Sequence, residues 1–313
     1  MPWRFEILKS LLEFDSLGFQ TVRDRRNFLQ CVRTLYDVHT SGSGAVINLR
    51  VPTEPAREIS VGCFPIGIDY DYVSNLAESR EVHAEAARLQ ASLNGRTIIL
   101  GVDRLDYTKG LPNKLEAFAD ALRRYPELRR RVTLVQHVVP SRLDIPDYHR
   151  LRQEIEQLIS NINGEYTQAG WVPIHYMFHS LDQASLIAYY QMADIALITP
   201  LKDGMNLVAK EYCASQTTND GVLILSEFAG AAAQLQSAAL LVNPYNIQDV
   251  ADSIYRAFEM SQKERKERMQ RLRRIVKYHD VFHWADSFLA SFTRRNVSHF
   301  PMVGDYIPRE GQT

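Results

Sequence analysis

The chain has 313 residues, of which 45% are hydrophobic and 23% are charged, and its formal net charge is −1. This composition is typical of a globular protein, and the near-zero charge gives no field to attract nucleic acid or a membrane surface as a partner. No apolar stretch approaches the roughly 20 residues that a membrane helix needs. Arg4 and Glu6 interrupt the place where a secretory signal would be apolar, so we expect a cytoplasmic protein.

The first eighty residues predict an incomplete α/β layer. Its predicted elements are a helix at 3–14, a strand at 17–19, a helix at 23–35, and strands at 46–51 and 59–64. Such a layer is only part of a βαβ arrangement and leaves open sheet edges, which favours a homo-oligomer. We place the domain boundary in a polar helix at 71–93, which gives a first domain over 1–80.

From about residue 90, short β-branched runs alternate with amphipathic helical stretches, as in a parallel sheet wrapped by helices. The predicted strands are 97–102, 132–138, 172–177, 193–199, 222–226 and 239–242, and the predicted helices are 112–124, 145–162, 182–192, 204–216 and 247–260. The pattern predicts a doubly wound, Rossmann-like domain over 81–278. A helix at 279–295 should pack back towards the first domain, followed by a tail at 296–313.

Two cations, Arg104 and Lys109, share the short loop that follows the first of these strands. Ligands of open α/β sheets bind at the carboxyl ends of the strands, where an Arg fork and a Lys point charge can converge on a diphosphate. For this segment alone, surface ion pairs with Asp103 and Asp106 are the stronger interpretation.

A second loop joins the strand at 193–199 to the helix predicted at 204–216. The backbone amides at the start of a helix offer a seat for phosphate oxygens. Asp203 and Glu211 are eight residues apart, just over two helical turns, so one carboxylate could serve a sugar and the other a ribose. An N-cap Asp203 with an exposed Glu211 is an equally weighted alternative.

Two more loops follow strands of the same predicted sheet. Arg142 comes after the strand at 132–138, and the small residues of 226–230 would let backbone approach a ligand closely. Because the carboxyl ends of parallel strands meet at one edge, these four loops together favour an anionic sugar substrate.

The order and spacing of several motifs resemble those of the trehalose-6-phosphate synthase family. The motifs are GVDRLDYTKG, VPSRLD, INGEY, VPIHYM, KDGMNLVAKEY, ILSEFAGAA and LLVNPYN, with PWRFEILKSLLEFDSLGFQT and PIGID in the first domain. The resemblance runs from Pro2 to about Phe292. It implies a GT-B fold, with a complete C-terminal Rossmann-like domain and part of the N-terminal one. It also implies transfer of glucose, with retention, from a nucleoside diphosphate glucose to glucose 6-phosphate.

The same resemblance implies roles for individual residues. The donor-binding set is Arg104, Lys109, Leu181, Asp203, Gly204, Met205, Asn206, Leu207, Val208 and Glu211. Within it, Arg104 and Lys109 would hold the diphosphate and Asp203 the glucose, and these three would carry the catalysis. Glu211 would bind the ribose hydroxyls and the Leu181 backbone the base. Arg142 would bind the phosphate of glucose 6-phosphate.

The resemblance implies that the nucleotide sugar is a substrate and that the reaction needs no metal or other cofactor. His279 and His283 share a predicted helix but lack a third ligand for a metal. The residues themselves leave the nucleotide base open, and UDP-glucose is the expected donor.

The chain also departs from the family pattern, because the family's chain begins well before Pro2 with a glycine loop and acceptor-binding residues. We therefore expect this polypeptide to bind nucleotide weakly and to turn over little or nothing. A glucosylglycerol-phosphate synthase-like enzyme and a non-catalytic nucleotide-sugar-binding protein remain alternatives. Ser141 and Arg142 after Pro140 favour the trehalose type over the former.

Overall fold

The computed structural model describes residues 2–36, 38–42, 46–51, 57–142 and 144–292, and it describes residue 292 by its backbone alone. The described residues form two compact units. The first unit combines the described residues up to 67 with those from 279 onward, and the second contains residues 68–278. None of the helices in the described part is long and apolar enough to cross a membrane. The predicted tail at 296–313 and the last residues of the helix predicted at 279–295 lie outside the described residues.

The first unit is a small α/β layer. Its elements are α1 (Arg4–Leu11), β1 (Ser16–Phe19), α2 (Val22–Leu35), β2 (His39–Ser41), β3 (Val46–Val51), β4 (Arg57–Cys63) and α12 (Val281–Phe292). The strand order is β1-β4-β3-β2, with β1 parallel to β4 and the other pairs antiparallel. The short strand β2 was not predicted from the sequence. The core holds Phe28, Leu29 and Val32 of α2 together with Ile59 and Val61 of β4.

Helix α12 packs on β1 and β4 inside this first unit. The indole Nε1 of Trp284 donates to the carbonyl oxygen of Phe64 at 3.1 Å. The ring of Phe288 meets that of Phe64 edge-on, with 5.4 Å between the centroids. An apolar helix near the end of the chain therefore covers residues from its beginning.

The second unit begins at Ile68, earlier than the boundary predicted at 80/81. Two helices, α3 (Tyr70–Ala77) and α4 (Arg80–Ser92), replace the single helix predicted at 71–93. The break occurs because the Ser79 hydroxyl accepts from the amide of Val82 and starts a new helix. Helix α3 buries Val73 and Ala77 in the core of the second unit, so the boundary falls before it.

The second unit contains one six-stranded parallel sheet. Its strands are β5 (Thr97–Arg104), β6 (Val132–Val139), β7 (Ile174–Phe178), β8 (Ile195–Ile198), β9 (Val222–Ser226) and β10 (Leu240–Val242), in the order β10-β9-β8-β5-β6-β7. Read from β7, this is the 3-2-1-4-5-6 order of Rossmann-type sheets, whose switch point lies between β5 and β8. The α/β class and the doubly wound sheet predicted from the sequence are confirmed.

Helices cover both faces of this sheet. The further helices are α5 (Leu111–Arg124), α6 (Pro146–Tyr166), α7 (Gln183–Met192), α8 (Leu207–Ser215), α9 (Ala232–Leu235), α10 (Ile247–Glu259) and α11 (Gln262–Tyr278). Residues of α3, α4, α7, α8 and α11 join one core cluster, and residues of α5, α6 and α10 join the other. The central strands are thus buried on both faces, which accounts for their continuous apolar runs.

Candidate functional site

An ion pair at the switch point joins the loops that follow β5 and β8. The Nζ of Lys109, on a 3-10 turn after β5, lies 2.5 Å from Oδ2 of Asp203, and the two side chains are 16% and 13% exposed. One interpretation of the sequence was that the cations of this loop form surface ion pairs with Asp103 and Asp106. The structure instead pairs Lys109 with Asp203. Asp106 accepts instead from the amide and the hydroxyl of Thr108.

Asp203 is the best-connected carboxylate of this region. Its Oδ1 accepts from the amide of Met205 at 3.1 Å, and its Oδ2 accepts from Nδ2 of Asn206 at 3.1 Å as well as from Lys109. Burial by itself would raise the pKa of Asp203, but the hydrogen bond and charge of Lys109 and the two further donors hold that pKa below its ordinary value. The group is therefore a fixed negative charge at neutral pH.

Backbone hydrogen bonds tie the loops after β5, β8 and β9 into one assembly. The amide of Leu201 donates to the carbonyl oxygen of Thr108 at 2.8 Å, and that of Gly230 donates to the carbonyl oxygen of Asp203 at 2.8 Å. A Cβ on Gly230 would lie 2.0 Å from the carbonyl oxygen of Gly204, so only glycine allows this approach. Three of the four loops singled out from the sequence therefore meet at one edge.

Helix α8 begins at Leu207, later than the predicted start at 204. Asn206 is its N-cap, in a left-handed conformation with φ of 65°, and its Oδ1 accepts from the amide of Ala209. In the described part of the chain, the amides of Leu207 and Val208 have no backbone acceptor, as expected for the first turn of a helix. They form an open, positively polarised seat beside Lys109 and Asp203.

The later start of α8 corrects the predicted relation between Asp203 and Glu211. Asp203 lies in the loop and is neither on the helix nor its N-cap, so helical spacing does not align the two carboxylates. Glu211 is half-buried, not exposed, and its Oε2 accepts from the hydroxyl of Tyr190 at 3.1 Å. Burial raises the pKa of Glu211, and the Tyr190 hydrogen bond offsets part of that rise.

Arg104 and Arg142 are exposed at the same edge of the sheet. The guanidinium of Arg104, at the end of β5, has no ion-pair or hydrogen-bond partner among the residues that the structure describes. Arg142 follows β6, and its Nη1 donates to the hydroxyl of Tyr148 at 3.1 Å. The centroid of the Tyr148 ring lies 5.9 Å from the centroid of the Tyr107 ring, which is on the turn after β5.

Leu181 is more distant from the ion pair in the strand order. It follows the edge strand β7, which is two strands from β5 on the side away from β8. The structure therefore brings together Lys109, Asp203 and the start of α8. Leu181 lies at the same edge of the sheet but is not part of this group.

A buried ion pair behind the β5 loop was missed from the sequence. Lys114 of α5 bonds Asp103 at the end of β5, and their side chains are 0% and 3% exposed. Nε2 of Gln136 also donates to Asp103, at 3.1 Å. The available signal was the position of Lys114 on the apolar stripe of α5 formed by Leu111 and Leu115, where a charged residue needs a buried partner.

The arrangement suits an anionic, hydroxyl-rich ligand. Among the described residues, this sheet edge carries the cations Arg104, Lys109 and Arg142, two open helix amides and two carboxylates. Within the described residues, no group of three or more His, Cys, Asp or Glu side chains is arranged to hold a metal ion.

Comparison with known proteins gives consistent matches. The profile of glycosyltransferase family 20 matches residues 1–294. The chain is 40% identical over 303 residues to the alpha,alpha-trehalose-phosphate synthase (UDP-forming) A of Dictyostelium discoideum, covering 97% of this chain and 40% of that protein. It is 43% identical over 293 residues to a trehalose-6-phosphate synthase of Mycobacterium avium, covering 92% of this chain and 59% of that protein.

Solved structures give the same picture. An alpha,alpha-trehalose-phosphate synthase (UDP-forming) from Burkholderia xenovorans, in complex with glucose-6-phosphate, superposes with a TM-score of 0.88 at 34% identity, over 93% of this chain and 64% of that one. An Escherichia coli structure bound with UDP-2-fluoro glucose gives a TM-score of 0.87 at 36% identity, over 95% and 64%. The chain thus spans 40% and 59% of the two curated relatives and 64% of each solved chain.

Proposed function

The chain belongs to glycosyltransferase family 20, and from that premise we propose that it transfers glucose, with retention, from UDP-glucose to glucose 6-phosphate, giving trehalose 6-phosphate. The observation that carries the proposal is the Lys109–Asp203 pair at the switch point, next to the open amides of α8. A cation and a helix start suit a diphosphate, and a carboxylate suits sugar hydroxyls.

For donor binding, we assign the diphosphate to Arg104, Lys109 and the amides of Leu207 and Val208. Asp203, with the backbone of Gly204, Met205 and Asn206, takes the glucose hydroxyls. When the phosphate draws Lys109 away, Asp203 keeps its two other donors and remains ionised as an acceptor.

The chemical step depends on charge stabilisation by these same groups. Negative charge develops on the departing diphosphate, and Arg104, Lys109 and the α8 amides, already bonded to the phosphates of the bound donor, stabilise that charge. The acceptor then attacks from the face that the diphosphate leaves, which gives retention. The proposed step uses the chain's own cations and assigns no metal.

The remaining assignments concern the outer parts of the two substrates. Glu211 accepts from the ribose hydroxyls, and the backbone at Leu181 meets the base. Arg142 binds the phosphate of the acceptor. The solved relatives with glucose-6-phosphate and with UDP-2-fluoro glucose support both substrate classes.

A product assay tests this function. The chain is incubated with UDP-glucose and either glucose 6-phosphate or glycerol 3-phosphate, with UDP release and product mass as readouts, and calorimetry measures donor binding in parallel. We expect UDP-glucose binding, with any turnover giving trehalose 6-phosphate. Product from glycerol 3-phosphate alone would favour the glucosylglycerol-phosphate type, and absence of UDP and UDP-glucose binding would contradict the proposal.

We also propose a cytoplasmic homo-oligomer. Strands β1 and β2 are the outer strands of the sheet formed by the described residues of the first unit, and such edge strands support self-association. Light scattering of the purified chain and a tagged chain in intact cells measure the two properties directly.

A further inference from the structure

We propose that Tyr190 is a positioning residue for the nucleotide: its hydroxyl holds one oxygen of Glu211 so that the other oxygen faces the ribose hydroxyls. This inference rests on the proposed function, because it assumes that Glu211 binds a ribose. It assigns a task to a buried side chain that forms no part of the phosphate and glucose contacts.

The position of Tyr190 is tightly fixed. The residue lies on α7 and is 1% exposed, and its hydroxyl is 3.1 Å from Oε2 of Glu211 on the neighbouring helix α8. Its carbonyl oxygen accepts from Nε2 of Gln216 at 2.6 Å, which ties α7 to the end of α8. The Tyr190 side chain is therefore held in one position, and it can fix the position of the Glu211 oxygen that it contacts.

The two oxygens of Glu211 differ in their surroundings. Oε2 accepts a hydrogen bond from the Tyr190 hydroxyl. Oε1 has no hydrogen-bond partner among the described residues, and it is not among the side-chain atoms that are buried without a partner, so it is accessible. One oxygen is thus anchored and the other is open to a ligand. A carboxylate with one fixed oxygen is preorganised to accept from a pair of ribose hydroxyls.

The hydroxyl also has an electrostatic effect. Burial raises the pKa of Glu211, and the hydrogen bond from Tyr190 works in the opposite direction by favouring the charged form. Without the hydroxyl the carboxyl group would be protonated at a higher pH. A protonated carboxyl loses acceptor strength, so nucleotide affinity should then begin to fall at a higher pH than in the wild-type chain.

Other charged groups around α8 already have partners. Asp103 of β5, the other charge acting on Tyr190, is paired with Lys114, and Lys210 of α8 donates to Gln234. Arg273 of α11 donates to carbonyl oxygens at the end of α8. From α3, which also packs on α8, Asp71 pairs with Lys277. None of these pairs involves the Glu211 carboxylate.

The test compares UDP with 2′,3′-dideoxy-UDP by calorimetry at pH 8 and pH 6. The variants are Tyr190→Phe, Glu211→Gln, their combination, and Tyr189→Phe as a matched control. Tyr189 is the adjacent residue of α7, and its hydroxyl contacts Sδ of Met177 away from the site. Binding of dideoxy-UDP reports that each variant is folded, because it needs the phosphate contacts but no ribose hydroxyl.

We expect the wild-type chain and Tyr189→Phe to prefer UDP over dideoxy-UDP. Tyr190→Phe should reduce that preference about tenfold at pH 8, equivalent to ~1.4 kcal/mol, and at least as much at pH 6. In the Glu211→Gln background, Tyr190→Phe should change nothing more, because Tyr190 acts through that carboxylate.

Two other outcomes distinguish failure of the Tyr190 inference from failure of the assignments on which it rests. If the wild-type chain discriminates between the ligands and Tyr190→Phe discriminates equally well at both pH values, the positioning inference is wrong while the proposed function stands. If the wild-type chain binds neither ligand, or binds both equally, the assignment of the ribose to Glu211 fails, and the proposal for Tyr190 fails with it.

Discussion

Replacing Lys109 with Met removes the ammonium of the switch-point pair and keeps much of the side-chain length. Asp203 is 13% exposed, so its carboxylate would lose a charge partner with limited access to water. Breaking a fully buried pair costs about 3–5 kcal/mol. Asp203 retains two other donors, Met205 and Asn206, so we expect a smaller loss of unfolding free energy, about 2 kcal/mol.

Urea unfolding of the wild type, Lys109→Met, Asp203→Asn and the double variant measures this pair. The double variant should be more stable than the sum of the two single losses predicts, with a coupling of about 1–2 kcal/mol. Additive losses would refute the pairing as the source of the effect.

The pH dependence of stability gives an independent check on the direction of the Asp203 pKa shift. The pKa of Asp203 is lower in the folded than in the unfolded chain, so its contribution to stability is present above the unfolded pKa of ~3.9 and is lost as the pH falls through the lower folded value. The stability gap between wild type and Lys109→Met should therefore be full at neutral pH and should shrink below about pH 4. A gap that widens in acid would contradict this sign.

The same substitution should weaken UDP binding. Loss of one charge-assisted phosphate contact corresponds to about 1.5–3 kcal/mol, or roughly tenfold to a hundredfold in affinity. Calorimetry checks this value. Unchanged UDP affinity in a folded Lys109→Met chain would remove Lys109 from the diphosphate site.

Two further substitutions test the supports of the site. Gly230→Ala would place a methyl group 2.0 Å from the carbonyl oxygen of Gly204, so UDP-glucose affinity measured by calorimetry should fall at least about tenfold. The control Gly164→Ala meets nothing within 4 Å and should bind normally; equal affinities would argue against the close approach. Lys114→Met leaves Asp103 buried without its cation and should cost about 3–5 kcal/mol in urea unfolding, whereas a loss below about 1 kcal/mol would contradict the structural importance of this pair.

The doubly wound sheet could be predicted because its signals are local. Apolar strands such as 222–226 and amphipathic helices such as 112–124 are visible within single windows of sequence, and β9 (Val222–Ser226) has the predicted bounds. The rule that strand ends share an edge was enough to bring Lys109 and Asp203 into one region.

The remaining features depend on contacts between distant residues. The start of α8 is set by the left-handed Asn206 cap and by loop hydrogen bonds, none of which helical periodicity reveals. The domain boundary depends on which core α3 joins, and its sequence fits either side. The Asp103–Lys114 pair needs a strand end and a helix stripe to be superposed in space.

Amide hydrogen exchange with and without saturating UDP-glucose measures whether one donor site exists at the switch-point edge. We expect the strongest new protection in residues 203–208, where the open amides of Leu207 and Val208 would bond phosphate oxygens, and additional protection in 104–110. Unchanged exchange in both segments, with protection at the opposite sheet edge around 217–221, would contradict the proposed site.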